Sequence, residues 1–308
     1  MVIFRRSIMR AIFRSRTFGE RLGIILMLII PLIAIGVLLF FMLKPNYTDG
    51  LNFELNKDKA SYTLVKYDGE DEVVEIPEKY NGKPVTAIGE RAFAYNNQLE
   101  TVRIPASVKT IESYAFEGCT KLLDVNLKSG TTTIEKYAFR ACNYITYLYL
   151  PDTLTEIEPY AFYGCYRIAH IEVDEGNEKY HSVGNCLVET DSKTLVLGGW
   201  QSVVPLDGSV TKIGKGAFAA NVMLGTIVIP ECITEIGESA FQDCASATTI
   251  TIPDSVEKID DFAFYGCLSV SSVIYQGTSD QWDKIEIGAR NINFEGVIRY
   301  FQPEDEEK

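Results

Sequence analysis

The sequence predicts one N-terminal transmembrane helix followed by a mostly β solenoid of 23-residue repeats. Three observations predict it. The dipeptide Ala-Phe recurs with its Phe at Phe93, Phe116, Phe139 and Phe162, then at Phe218, Phe241 and Phe264, 23 residues apart within each run. Other slots keep the same phase: an Ile stands five residues before each Phe (Ile88, Ile111, Ile134, Ile157, Ile213, Ile236, Ile259), and Asn or Cys three after it. Lastly, residues 22–43 form an apolar run without a charge. A fixed period of this length signals a coil that cannot bury its own apolar side and makes a core by stacking on its neighbours.

In chain order, residues 1–21 are a basic cytoplasmic segment, readable either as lying along an anionic leaflet or as a plain positive flank. Residues 22–43 suffice at about 1.5 Å rise per residue to cross a bilayer core. No small-residue cut site follows Leu43, which favours an uncleaved signal anchor over a cleaved signal peptide. The positive-inside rule keeps the N-terminus in the cytoplasm and places the C-terminal domain outside the cell membrane. Residues 44–50 read as a linker and 51–84 as an N-terminal cap, with a hairpin turn expected at Asp68-Gly69.

Repeats occupy 85–173 and 207–277. Phe218 follows Phe162 by 56 residues where 23 would suffice. The surplus, 174–206, reads as a projecting β-hairpin plus a rejoining strand at Val203-Val204-Pro205, with a functional role and a spacer role both open. Residues 278–301 form a C-terminal cap, and 302–308 an acidic tail. Eight or so coils at about 4.8 Å each would make a sheet of roughly 38 Å.

Charge and cysteine usage narrow the function. Residues 1–43 hold six Arg and one Glu, leaving 23 basic and 41 acidic residues in the remainder, a net −18. Such a domain repels polyanions, so nucleic acid is excluded as a partner. Five of the seven Cys (Cys119, Cys142, Cys165, Cys244, Cys267) share one repeat slot with Asn, as buried reduced thiols would. Whether Cys186 and Cys232 pair stays open. No metal-ligand spacing, phosphate loop or nucleophile–base motif is present, so no cofactor, metal or enzymatic activity is expected.

The pattern I-x-x-x-A-F-x-x-C-x-x-L-x-x-V-x-I-P, carried by Ile157 to Cys165 and Ile236 to Cys244, resembles the BspA-type leucine-rich repeats of bacterial surface proteins. Tyr275-x-Gly277-Thr278-x-x-Gln281-Trp282 is similar to a segment that accompanies such repeats. Departures are Lys128 where Pro is usual and Ala247 in an apolar slot. The resemblance implies a right-handed leucine-rich-repeat solenoid with short helical turns on its convex side, and adhesion or recognition as its role.

Strand side chains alternate, so the outward positions follow from the phase. The most distinctive are Arg103, Asp124, Tyr147, Tyr149, His170 and Glu172. Aromatic area with polar tips suits a protein or glycan ligand. The alternative role is a scaffold within the cell envelope that holds membrane partners. Tyr114, Tyr137 and Tyr160, two residues before each Phe, read as half-buried packing between coils.

Overall fold

The computed structural model describes residues 47–292, 296 and 298–300, together with Ile30 and Ile33. Residues 1–46 and 47–308 are separate compact units. Apart from Ile30 and Ile33, the span expected over 22–43 lies outside the described residues, as do the basic segment before it and the acidic tail. Among the described residues no helix is long and apolar enough to cross a membrane.

The cap is built of β1 (Leu51–Leu55), β2 (Tyr62–Tyr67), β3 (Val73–Glu75), β4 (Lys79–Tyr80) and β5 (Lys83–Ile88). β1 runs antiparallel to β2, which starts the parallel stacking onto β5. Asp68-Gly69 is not a hairpin turn, contrary to the sequence expectation; the chain rounds a corner there, Tyr67 being buried with its hydroxyl donating to Asp71 at 2.6 Å. The tight hairpin joins β4 to β5 through Asn81-Gly82, both at positive φ. Residues 47–50 belong to this cap and not to a linker: Tyr47 packs edge-on against Phe53 and Tyr80, and Thr48 exchanges hydrogen bonds with Glu75.

Each repeat then supplies a long and a short strand. In order these are β6 (Thr101–Arg103), β7 (Thr110–Ile111), β8 (Asp124–Asn126), β9 (Thr133–Ile134), β10 (Tyr147–Leu150), β11 (Glu156–Ile157) and β12 (His170–Val173). The insertion holds β13 (Tyr180–Val183), β14 (Cys186–Glu189) and β15 (Thr194–Gly198). The later coils hold β16 (Lys212–Ile213), β17 (Thr226–Val228), β18 (Glu235–Ile236), β19 (Thr249–Ile252), β20 (Lys258–Ile259) and β21 (Ser272–Tyr275). The C-terminal cap adds α1 (Ser279–Trp282), β22 (Glu286–Ile287) and β23 (Ile298–Tyr300), and so continues both ladders. Among the described residues the second ladder stacks in parallel in two runs, β2-β5-β7-β9-β11 and β15-β16-β18-β20-β22, ten strands against the eight or so coils expected, because the caps and the insertion each contribute.

The slot identities follow from what meets what one coil further on. Phe rings stack face to face: Phe93 on Phe116 at 4.9 Å, Phe116 on Phe139 at 5.1 Å, Phe139 on Phe162 at 5.2 Å. A second column runs Phe218, Phe241, Phe264. The amides of Phe93, Phe116, Phe139, Phe218 and Phe241 donate to the Ala carbonyl of the next coil, as Phe116 does to Ala138 at 2.7 Å, and the small Ala lets the backbones approach; the Phe264 amide donates instead to Asn291 Oδ1 at 3.0 Å. The Cys slot is a hydrogen-bond ladder. Each thiol donates to the Phe carbonyl of the preceding coil, Cys119 to Phe93 at 3.0 Å and Cys142 to Phe116 at 3.1 Å. Asn221 opens the second column with no such carbonyl before it, and its buried Nδ2 has no hydrogen-bond partner.

The turns around Ala-Phe are not the short helical turns that the resemblance implied. They are successive i to i−3 turns, with left-handed residues two before each Phe (Tyr114, Tyr137, Tyr160) and two after it (Gly118, Ala141, Gly164). Two positive-φ residues per loop stop a helix from propagating. Tyr in this region is strained, and stacking offsets it: Tyr114 on Tyr137 at 5.2 Å and Tyr137 on Tyr160 at 5.6 Å.

All seven cysteines are free, Cys186 and Cys232 included. Burial pushes the Cys119 and Cys267 thiols up to about 12 and that of Cys186 up to about 11, and raises those of Cys142 and Cys244. Thiolate is the reactive form. A disulfide-exchange reagent at pH 8 is therefore expected to modify the half-exposed Cys232 quickly and the other six thiols on denaturation; rapid loss of more than one thiol from the folded chain would contradict this packing.

The insertion does not project. β13, β14 and β15 form an antiparallel meander whose last strand joins β16 in parallel. β14 is a bulkhead between two cores: Leu187 packs into the core that begins at Leu64, while Cys186 and Val188 pack into the one that ends at Trp282. Gly198 donates to Ala217 as the Phe amides do elsewhere, but a Cβ there would lie 2.0 Å from the Phe218 ring, so only Gly fits. On the turn side Tyr160 reaches Glu238 at 3.3 Å and Tyr163 reaches Asp243 at 2.5 Å, bridging 78 and 80 residues of chain.

The rejoining strand expected at Val203-Val204-Pro205 is not a strand either. Val203 donates to Gly184 of the hairpin turn at 2.7 Å, and the Pro205 carbonyl accepts the Cys232 thiol at 3.3 Å. With these groups committed and Pro205 lacking an N–H, no pairing to β17 forms: the long strands pair as β3-β6-β8, β10-β12 and β17-β19-β21-β23, and the insertion falls at the break between β12 and β17.

Candidate functional site

The long strands place alternate residues inward and outward as the phase requires. In β10 Leu148 and Leu150 are buried while Tyr147 is exposed and Tyr149 half-buried; in β12 Ile171 is buried while His170 and Glu172 are exposed. Parallel register sets Tyr147 beside His170 and Tyr149 beside Glu172.

These four side chains form one ordered patch. The Tyr147 ring stacks on the His170 imidazole at 5.4 Å, 12° from parallel. Its hydroxyl donates to Glu172 Oε2 at 2.5 Å, and that oxygen is 4.0 Å from His170 Nε2. The Tyr149 hydroxyl donates to Asp174 Oδ2 at 2.7 Å. Each tyrosine thus reaches diagonally past its register partner to a carboxylate two residues on. Asp124 stands on the neighbouring strand, and its charge adds to that of Glu172 in raising the Tyr147 phenol above its ordinary value, the hydrogen bond to Glu172 being the main cause. Arg103 does not join the patch. It turns back to Glu75 at 3.5 Å, an exposed pair of small energetic weight.

Asp174 was not among the residues singled out by sequence. It lies just past β12, where the period is lost, although a carboxylate two residues beyond the partner of Tyr149 was a signal. Its bond to Tyr149 pushes that phenol up to about 12 and holds the Asp174 carboxyl below its ordinary value. The bond therefore adds stability above pH 3.8, lost as pH falls through the lowered carboxyl value, and below pH 10.0, lost as pH rises through about 12. In Asp174→Asn the Tyr149 midpoint, followed by NMR of labelled tyrosine, is expected to fall towards 10.0; a midpoint that stays at about 12 would contradict the assignment.

Cys165 and His170, five residues apart, do not pair: the thiol is buried and donates to Phe139, while the imidazole faces outward. Among the described residues no group of three or more metal-ligating side chains is present.

A second surface escaped the sequence reading. Beside the break in the long-strand sheet lies an apolar groove of about 420 Å³, lined by Trp200, Leu206, Phe218, Leu224, Val228 and Phe241 among others. Val203 and Val204, read from the sequence as part of a rejoining strand, line this groove together with Val228.

A profile of the BspA-type leucine-rich repeat region matches residues 83–193 and 202–287, in six copies. A comparison with curated proteins finds no match. Among solved structures the chain is similar to the pneumococcal vaccine antigen PcpA, with 18% identity over 83% of this chain and 88% of that one and a TM-score of 0.51. It is also similar to a leucine-rich repeat protein from Bacteroides ovatus, with 21% identity over 82% of this chain and 70% of that one, at a TM-score of 0.48. A leucine-rich repeat protein of T. pallidum shares 22% identity over 80% and 85% of the two chains, at a TM-score of 0.41. Repeat by repeat, from the Ile, Phe and Cys slots to the Trp282 cap, the chain belongs to the BspA-type leucine-rich-repeat family.

Proposed function

We propose that this chain is a membrane-anchored recognition module that binds a protein ligand along the outer face of β10 and β12. The observation that supports this best is the stack of Tyr147 on His170 with the Tyr147 hydroxyl bonded to Glu172. These side chains are held in place before any ligand arrives, which lowers the ordering cost of binding. Tyrosines of this kind give large amphipathic contact area at few rotatable bonds. Asp124 and Asp174 make the rim acidic, which favours a ligand with a basic or hydroxyl-rich face, a glycan being the alternative to a protein.

In this reading residues 22–43 anchor the chain, the N-terminus is cytoplasmic, and the solenoid works outside the cell membrane. Because the cap starts at Tyr47, only residues 44–46 separate it from the expected span. So short a spacer favours a partner close to the membrane, whether a ligand displayed there or an envelope protein that the solenoid scaffolds. Proximity labelling from the solenoid in living cells, comparing the natural chain with the combined Tyr147→Ala, Tyr149→Ala and His170→Ala variant, tests the site. Loss of the main labelled partners in the variant is expected, and an unchanged set would remove this face from the account. Protease protection of intact cells tests the orientation: the solenoid should be digested from outside.

A further inference from the structure

The geometry points to a second binding mode on a different surface: the open edge of β17 accepts an extended, basic-flanked, apolar segment of a partner protein as an added strand. In a parallel ladder, alternate residues turn their N–H and C=O to one neighbour and the residues between turn theirs to the other. The Gly225 carbonyl accepts from Thr248 at 2.9 Å and the Ile229 amide donates to Thr251 at 2.9 Å, so the odd-numbered residues face β19. Thr226 and Val228 therefore face the opposite side, where no described strand pairs. The segment that passes there spends its groups elsewhere: Gly199 N–H donates to Ser202 Oγ at 2.8 Å, Ser202 Oγ to Asn185 at 2.6 Å, and Val203 N–H to Gly184.

An unpaired edge alone invites any strand. Here it borders the groove of about 420 Å³, whose lining includes the Phe218 and Phe241 rings. Leu206 is 77% exposed and Val228 64% exposed at its rim. A strand added to β17 would alternate its side chains, placing every second one over those rings.

Charge selects the occupant. No groove-lining residue is charged. The stretches that build it hold Asp207 and Glu231, and the lysines that flank them are spent elsewhere: Lys193 donates to the Gly208 carbonyl at 3.1 Å, Lys212 pairs with Glu235 at 2.8 Å and Lys215 with Glu238 at 3.0 Å. The chain beyond residue 43 is net −18, which repels a second copy and any acidic segment. The complementary partner is a strand-forming segment with apolar residues at alternate positions, Lys or Arg at its ends and no carboxylate.

The test uses the full chain and three capped peptides: Lys-Val-Thr-Val-Thr-Val-Lys, the same peptide N-methylated at alternate amides, and the same peptide with Glu in place of both Lys. Affinity is read by fluorescence anisotropy and the site by amide hydrogen exchange. The Lys peptide is expected to bind and to slow exchange at Thr226 and Val228, with both altered peptides at least tenfold weaker. Val228→Pro, which removes an edge N–H and leaves the bonds to β19, is expected to weaken the Lys peptide at least tenfold; should that variant not fold, the N-methylated peptide on the natural chain decides. Absence of binding by the Lys peptide, or equal affinity for its N-methylated form, would overturn the proposal.

Discussion

Phe139→Ala is expected to lower the unfolding free energy by about 3–5 kcal/mol, the range for truncating a fully buried aromatic side chain. Phe139 is wholly buried and stacked on both sides, 5.1 Å from Phe116 and 5.2 Å from Phe162, at interplanar angles of 1° and 5°. Its carbonyl also accepts the Cys165 thiol at 3.0 Å, so a shift of the backbone would disturb the next ladder as well. In a solenoid each coil is held by its neighbours, so the cost falls on two interfaces at once. Leu268→Ala, at a site 87% exposed, is expected to change stability by no more than about 0.5 kcal/mol. Urea midpoints compare the two, and equal effects would mean that the Phe column is not the core.

Leu187→Asp is expected to be at least as severe, because two costs add. Removing the buried Leu side chain is worth about 2–5 kcal/mol, and the carboxylate left in its place would lie without a charge partner in an apolar interior. Leu187 is fully buried, paired with Ser182 on β13 and Leu197 on β15. Because β14 contributes to both cores, the variant is expected to uncouple them, giving two unfolding transitions where the natural chain gives one. Asp191→Ala, at the exposed tip of the β14–β15 turn, serves as the control and is expected to leave the midpoint within about 0.5 kcal/mol. A mild Leu187→Asp would restore the projecting hairpin.

The sequence was most informative wherever a side chain meets its own counterpart one coil further on. Ile134, Phe139 and Cys142 each touch the matching residue or backbone of the adjacent repeat, so selection on one contact is written seven times over. The outward row was legible for the same reason, since parity within a strand follows once Leu148 and Leu150 are known to point in. Thr278 and Gln281 in the C-terminal cap were legible as a motif, and the structure supplies the reason: the Thr278 amide donates to Gln281 Oε1 at 2.8 Å, setting α1 so that Trp282 packs on Tyr275.

What escaped the sequence depends on contacts between residues out of phase. Cys186-Leu187-Val188 is apolar at every position, the pattern of a strand buried on both faces, and that run argued against a projecting hairpin. Nothing local distinguishes Val203-Val204-Pro205 from a repeat strand; its diversion depends on Gly184 and Cys232, which come from the hairpin turn and from a later coil. The left-handed backbone at Tyr114, Tyr137 and Tyr160 was equally hidden, because tyrosine does not announce positive φ and tolerates it here through stacking.

Amide hydrogen exchange on the full chain tests most directly the claim that one buried strand joins two stacked cores. The account predicts that the amides of Leu187 and Val188 exchange as slowly as those of Phe116 and Phe139, while Thr226 and Val228 on the open edge exchange fast. Amides of Leu187 and Val188 exchanging as rapidly as the exposed turn at Asp191 and Ser192 would contradict it.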